Sequence, residues 1–274
     1  MSVIFKPEKH EYISLDPNEN IQWTSVTSFV GKYKIPFDKV AIATKVSKSK
    51  KSKWYGMSVD EILEAWKHQA DNAIDRGNWY HNQREADLLV IDTISRQGVE
   101  LPVINPLQDD EGKVAPPQKL QDGVYPEHFV YLKSVGLCGQ SDLVTVMDGK
   151  INILDYKTNK EIKKESYVNW EGKSQKMLGP LAHLDDCNYN HYALQLSTYM
   201  YIMLKHNPKL KPGKLILHHV LFFEEGLDEL GAPIIARDIN GEPIVKKIVP
   251  YEVPYMKDEV ISLIKDKQNA DETI

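Results

Sequence analysis

The sequence predicts an α/β fold, with one mixed central sheet and helices on its faces. Three observations lead there. Strand-like runs cluster at 124–135, 140–147 and 150–157, the last two joined by Asp148-Gly149. That dipeptide is a strong hairpin signal, because a type I′ turn needs positive φ at both central residues. Ile151, Ile153 and Leu154 make the third run apolar on both sides, as in a central strand covered by two layers. A helical stretch at about 189–206 then leads into a further apolar strand at 215–223.

The remaining elements follow from local signals. Residues 3–14 read as an opening hairpin, and 25–33 and 37–48 as short helices separated by Ile35-Pro36. Ser58-Val59-Asp60-Glu61 has the form of a capping box, opening a helix to about Asp75 with Ile62, Leu63 and Trp66 on its apolar side. Gly77 is expected to break the pattern before a second helix at about 79–96. Residues 98–123, rich in Pro, Gly, Asp and Gln without a period, read as a long loop. A long connection at 158–188 precedes the 189–206 helix, which Pro208, Pro212 and Gly213 end. Hairpins near 226–231 and at Asn240-Gly241, a helix at about 257–267 and a polar tail at 268–274 complete the chain. The expected organisation is a single domain over 1–274: a mostly helical elaboration (1–76), a core (77–224), hairpins and a helix (225–267), and a flexible tail.

Composition narrows the function classes. Hydrophobic residues at 42% and charged residues at 27% of 274 are ordinary for a globular domain. No apolar run approaches a membrane span and no apolar leader follows Met1, so a cytoplasmic protein with no membrane partner is expected. Cys138 and Cys187 are too few for a disulfide framework or a four-thiolate cluster. The net charge of −5 argues mildly against nucleic acid, but the lysines are clustered. Lys45, Lys48, Lys50, Lys51 and Lys53 form one group, and Lys157, Lys160, Lys163, Lys164, Lys173 and Lys176 another. Each group is either a solvated loop or a phosphate-directed surface. Arginine is confined to Arg76, Arg84, Arg96 and Arg237, so base-specific reading is not expected.

The chemistry concentrates at the Asp148-Gly149 hairpin. With a two-residue loop, facing positions sum to 297, so Asp142 lies opposite Asp155. Facing Cβ atoms lie roughly 5 Å apart, and like charges so placed are destabilising unless a cation joins them. Lys157, two residues beyond Asp155, falls on the same strand face. The alternative is a solvated charged face. Against it, the apolar run stops where the three charges begin, and charges in a buried strand are costly unless paired or metal-bound. Two helices carry further candidates. His81 and Glu85 are four residues apart and share a face, as do Gln195 and Tyr199. Taken singly, the first is a local ion pair and the second a polar helix edge.

In order, Gly77-x-x-x-His81-x-x-x-Glu85, Gly139-x-x-Asp142, Asp155-Tyr156-Lys157-Thr158 and Gln195-x-x-x-Tyr199 resemble the PD-(D/E)XK nuclease superfamily, in its RecB-like exonuclease branch. The likeness spans about residues 77–205, and His10-Glu11-Tyr12, Ser25-Val26-Thr27 and Pro36-Phe37-Asp38 are similar to phage-encoded members. The resemblance implies a restriction-endonuclease-like core. It implies that Asp142, Asp155, His81 and the Tyr156 carbonyl hold Mg²⁺ or Mn²⁺, with Lys157, Asp155 and Asp142 catalytic. Gln195, Tyr199 and Lys160 would contact DNA, and Glu85 and Glu127 would support the site from behind its ligands. Hard carboxylates suit Mg²⁺ and an imidazole suits Mn²⁺.

The expected activity is therefore DNA exonuclease action in recombination, repair or phage DNA processing, in a bacterial or phage-infected cell. A structure-specific endonuclease and a silent DNA-binding scaffold are the competing readings. The resemblance leaves room for a recombination or single-strand-binding protein as partner. No iron–sulfur cluster is expected from two cysteines, and no nucleotide-binding Gly-x-x-x-x-Gly-Lys motif occurs. His218 and His219 read as core or edge residues, and Trp54, Trp79 and Trp170 as packing residues.

Overall fold

The computed structural model describes residues 3–6, 11–14, 21–109, 112–114 and 118–271. Its elements in chain order are β1 (Val3–Lys6), β2 (Glu11–Ser14), β3 (Thr24–Ser25), α1 (Val26–Gly31), α2 (Lys39–Lys48), α3 (Val59–Leu89), β4 (Thr93–Arg96) and β5 (Val99–Pro102). There follow β6 (Leu107–Asp109), β7 (Gly112–Val114), β8 (Gly123–Leu132), β9 (Leu137–Met147), β10 (Lys150–Lys157) and α4 (Asn188–His206). The chain ends with β11 (Lys211–Phe222), β12 (Glu224–Leu227), β13 (Pro233–Ile235), β14 (Val245–Val253) and α5 (Lys257–Asp271).

The fold is α/β, with a mixed sheet flanked by helices. Among the described residues the central sheet has six strands in the order β14-β11-β10-β9-β3, with β8 on the other side of β9. β10 and β11 run parallel; the β8–β9, β9–β10 and β11–β14 pairs are antiparallel. α1, α4 and α5 cover one face through Phe29, Leu194, Leu196, Ile202 and Leu263, packed on Val144, Ile151, Ile153 and Leu217. α3 covers the other through Tyr80, against Tyr156, Val220 and Phe222. The alternation of β10 explains this: Ile151 and Ile153 point to one layer, Leu154 and Tyr156 to the other. The described N-terminal segments pair as β1–β2, as the opening hairpin predicts.

Asp148 and Gly149 adopt φ of 54° and 69°, the two left-handed residues a type I′ turn requires. The ladder runs from Lys150↔Met147 to Leu154↔Leu143 in the expected register.

Four expectations are corrected. Gly77 does not break α3, a single 31-residue helix capped by Ser58, whose side chain accepts from Glu61 N while Glu61 Oε2 accepts from Ser58 N at 2.7 Å. A Cβ at Gly77 would lie 3.3 Å from Thr158 Oγ1, a tight approach that the glycine relieves. The helix stops at Leu89 rather than near 96, because Gln97 and Gly98, at φ of 52° and 80°, turn Thr93–Arg96 into a hairpin with Val99–Pro102. The 98–123 region therefore holds strands β5, β6 and β7 where a loop was expected, although 110–111 and 115–117 lie outside the described residues. α5 continues to Asp271, so 268–271 are helical, while 272–274 lie outside the described residues, as does His10.

The sequence predicts a hairpin at Asn240-Gly241, which forms, but not the nine-residue strand β14 that follows it. Its Pro250 hides it, yet the strand sits at the sheet edge opposite His218, where a missing N–H is tolerated. Among the described residues no helix is long and apolar enough to cross a membrane.

Candidate metal centre

β9 and β10 part at the end of their ladder. Their last pair is Leu154↔Leu143, and β3 covers only Leu137 and Cys138 of β9. Gly139–Asp142 therefore lie in a notch between two partners. β10 continues beside β11, pairing Asp155 with Leu217 and Lys157 with His219. A cleft of about 200 Å³ occupies the notch, lined by His81, Asp142, Asp155, Lys157, Gln195 and Tyr199 among others.

The strands' divergence lets side chains from both layers meet. Asp142 and Asp155 share the sheet face of Val144 and Ile153, which α4 covers, whereas His81 comes from α3 on the opposite face. His81 Nδ1 lies 3.4 Å from Asp142 Oδ2, and its Nε2 lies 3.2 Å from the Tyr156 carbonyl oxygen. Tyr156 N donates to Asp142 Oδ2 at 2.7 Å. Glu127 stands in the same register row on β8, between the pairs Pro126↔Leu143 and His128↔Ser141, and its φ of 45° marks a local break in the strand. One ligand atom each from His81, Glu127 and Asp142 falls within a mutual 4.8 Å. Three neighbouring strands thus contribute an acid to one row: Glu127, Asp142 and Asp155.

Asp155 is 2% exposed, with Oδ2 in ion contact with Lys157 Nζ and no aligned hydrogen bond completing that oxygen. The Lys157 ammonium also lies 4.8 Å from the Tyr192 ring centroid. Burial and the Asp142 charge hold the Asp155 carboxyl above its usual range, with Lys157 opposing. At Asp142 burial pulls the same way, but the His81, Lys157 and Tyr156 contacts outweigh it and the carboxyl is held low. Burial opposes charge on His81, yet Asp142, Asp155 and Glu127 raise its pKa to about 9. Lys157 is likewise raised: burial is overcome by Asp155 and Asp142.

This donor set suits a hard divalent cation. Two carboxylates and one imidazole converge, and the Tyr156 carbonyl lies against the other ring nitrogen of His81. His81, Asp142 and Glu127 form the tightest group. Glu127 therefore stands among the potential ligands rather than behind them, and Asp155 is engaged mainly by Lys157.

A scan against protein-family models finds no match to this chain, and a search of curated proteins finds no relative.

The other sequence candidates divide. Gln195 Nε2 donates to Tyr199 Oη at 3.3 Å, and both line the cleft. Gly139 is what admits Tyr199, because a Cβ there would lie 2.8 Å from Tyr199 Cε1. Glu85 sits one turn beyond His81 on α3. Lys160 lies outside the cleft, in an adjacent depression with Asn159, Lys163 and His191. His219 is buried, with Nε2 2.6 Å from the Asn159 carbonyl oxygen, as a core residue. Trp79 packs on Phe222 and Trp54 on Trp66, but Trp170 is 90% exposed, which overturns its reading as a packing residue: it sits in the tight turn between Val168 and Ser174. Tyr192 was missed. Its three-residue spacing from Gln195 places it on the same helical face, and that spacing was the available signal.

Proposed function

We propose that this protein is a metal-dependent nuclease with a PD-(D/E)XK-type core, hydrolysing phosphodiester bonds of DNA by exonucleolytic attack. The observation that carries the reading is the notch itself. His81, Glu127 and Asp142 lie within 4.8 Å of one another beside the Asp155–Lys157 ion pair, at the point where two central strands separate.

His81, Asp142, Glu127 and the Tyr156 carbonyl would hold Mg²⁺ or Mn²⁺, with Asp155 adjoining. Such an ion supplies Lewis acidity toward a phosphoryl oxygen and lowers the pKa of nearby water. The residues of the chain do the rest. Lys157, anchored by Asp155 and the Tyr192 ring, presents an ammonium to the negative phosphoryl oxygens or to the attacking water. Tyr156 N–H and His81 fix the Asp142 carboxylate, so its lone pairs are oriented before substrate arrives. Gln195 and Tyr199 line the same cleft and would contact a strand lying in it.

The test is cleavage of end-labelled linear DNA against covalently closed circles. Degradation of linear DNA with Mg²⁺ or Mn²⁺, abolished by EDTA and by Lys157→Ala, supports the proposal. Cleavage of closed circles would instead support the endonuclease reading. Cleavage undiminished in both Asp155→Ala and Lys157→Ala sinks the site assignment.

A further inference from the structure

From the charge distribution of the α2 lobe we infer that its lysines form a second contact for the phosphate backbone of duplex DNA, away from the notch. This inference rests on the nuclease reading for its substrate class. Between Asp38 and Asp60 the chain carries Lys39, Lys45, Lys48, Lys50, Lys51 and Lys53 and no acid, in a protein whose net charge is −5. All six are exposed, and among the described residues none meets a carboxylate at ion-pair distance. The bounding acids are placed at helix starts. Asp38 caps α2 by accepting from Ala41 N, Asp60 sits in the first turn of α3, and Glu61 completes the Ser58 capping box.

Lys45 and Lys48 also oppose the negative end of the α2 dipole, which accounts for two of the charges but not for Lys50, Lys51 and Lys53 beyond it. Trp54, packed edge-on against Trp66, fixes this segment to α3, and Lys53 Nζ lies 4.5 Å from the Trp54 ring centroid. The lysines therefore stand on an anchored surface.

The patch is in reach of the cleft. Along α3, Lys53 is level with Gln69, since both lie beside Gly231; that is twelve residues, or about 18 Å, before His81. At 3.4 Å per base pair the patch begins about five base pairs from the metal centre. A duplex suits this span better than a single strand. It carries twice the charge per length and stays straight over the distance.

The test compares wild type with Lys48→Gln/Lys50→Gln/Lys51→Gln/Lys53→Gln, measuring binding to a 30-base-pair duplex (a chosen probe length, about 100 Å) in Ca²⁺ across a salt series. Each lysine on a phosphate contributes about 0.9 to the slope of log K against log salt. A slope shallower by about 2 or more in the variant, with unchanged single-turnover cleavage at saturating DNA, supports the inference. Equal slopes overturn it, as does loss of binding to anionic phosphatidylserine vesicles with DNA binding unchanged. If wild type binds with the steeper slope but never cleaves, the nuclease reading fails while the patch stands. Cleavage with equal slopes is the reverse.

Discussion

At its turn the β9–β10 hairpin is closed by Asp148 and Gly149 and backed by Val144, Val146, Ile151 and Ile153, all buried in one hydrocarbon layer. At its open end, a few residues along the same strands, Asp142, Asp155 and Lys157 replace the hydrocarbon and the ladder lets go. A sheet can do chemistry where its strands part. Paired strands bury apolar surface and satisfy their own backbone. Charged groups become tolerable where the strands part, because partners from α3 and α4 can then reach in. The two glycines of the hairpin show the same division. Gly149 has open space around it and a φ of 69°, so conformation explains it, whereas Gly139 is demanded by the Tyr199 ring.

Substitutions at the two ends of the hairpin should act differently. The largest effect is expected at the open end: Lys157→Ala and Asp142→Ala should each lower the cleavage rate by about 10³-fold or more in single-turnover assays, at full metal saturation. Ile153→Ala, in the closed half, should cost about 2–5 kcal/mol in denaturant unfolding, with cleavage per folded molecule unchanged. Divalent metal should separate the ends by linkage. Mn²⁺ at 100 times its Kd should stabilise wild type by about 2.7 kcal/mol, and Asp142→Asn should lose most of that gain while Ile153→Ala keeps it. The smallest effect belongs to the turn: Gly149→Ala should cost about 1–2 kcal/mol from left-handed strain alone. Gly139→Ala should instead reduce activity as well as costing about 1–3 kcal/mol, because the added Cβ overpacks the buried Tyr199 ring. Equal activity losses for both glycine variants would erase the distinction.

Much of the central sheet was legible because its signals are local and strong. The Asp-Gly turn sets the register, and the register puts Asp142 beside Asp155. What was illegible depended on tertiary context. Gly77 reads as a helix breaker until Thr158 is seen against it, and β14 is hidden by Pro250 until it is known to be an edge. Glu127 could not be ranked from sequence, since its approach depends on a left-handed residue in β8 and on β8 lying next to β9. Trp170 shows the converse, an aromatic that composition assigns to packing and the fold exposes.

The most direct test is anomalous diffraction from crystals of the wild-type protein soaked in Mn²⁺. A peak within about 2.5 Å of an Asp142 carboxylate oxygen and a His81 ring nitrogen, with Lys157 Nζ still on Asp155, is the result predicted here. An ion bound elsewhere, with the notch holding none at millimolar Mn²⁺, would contradict the account.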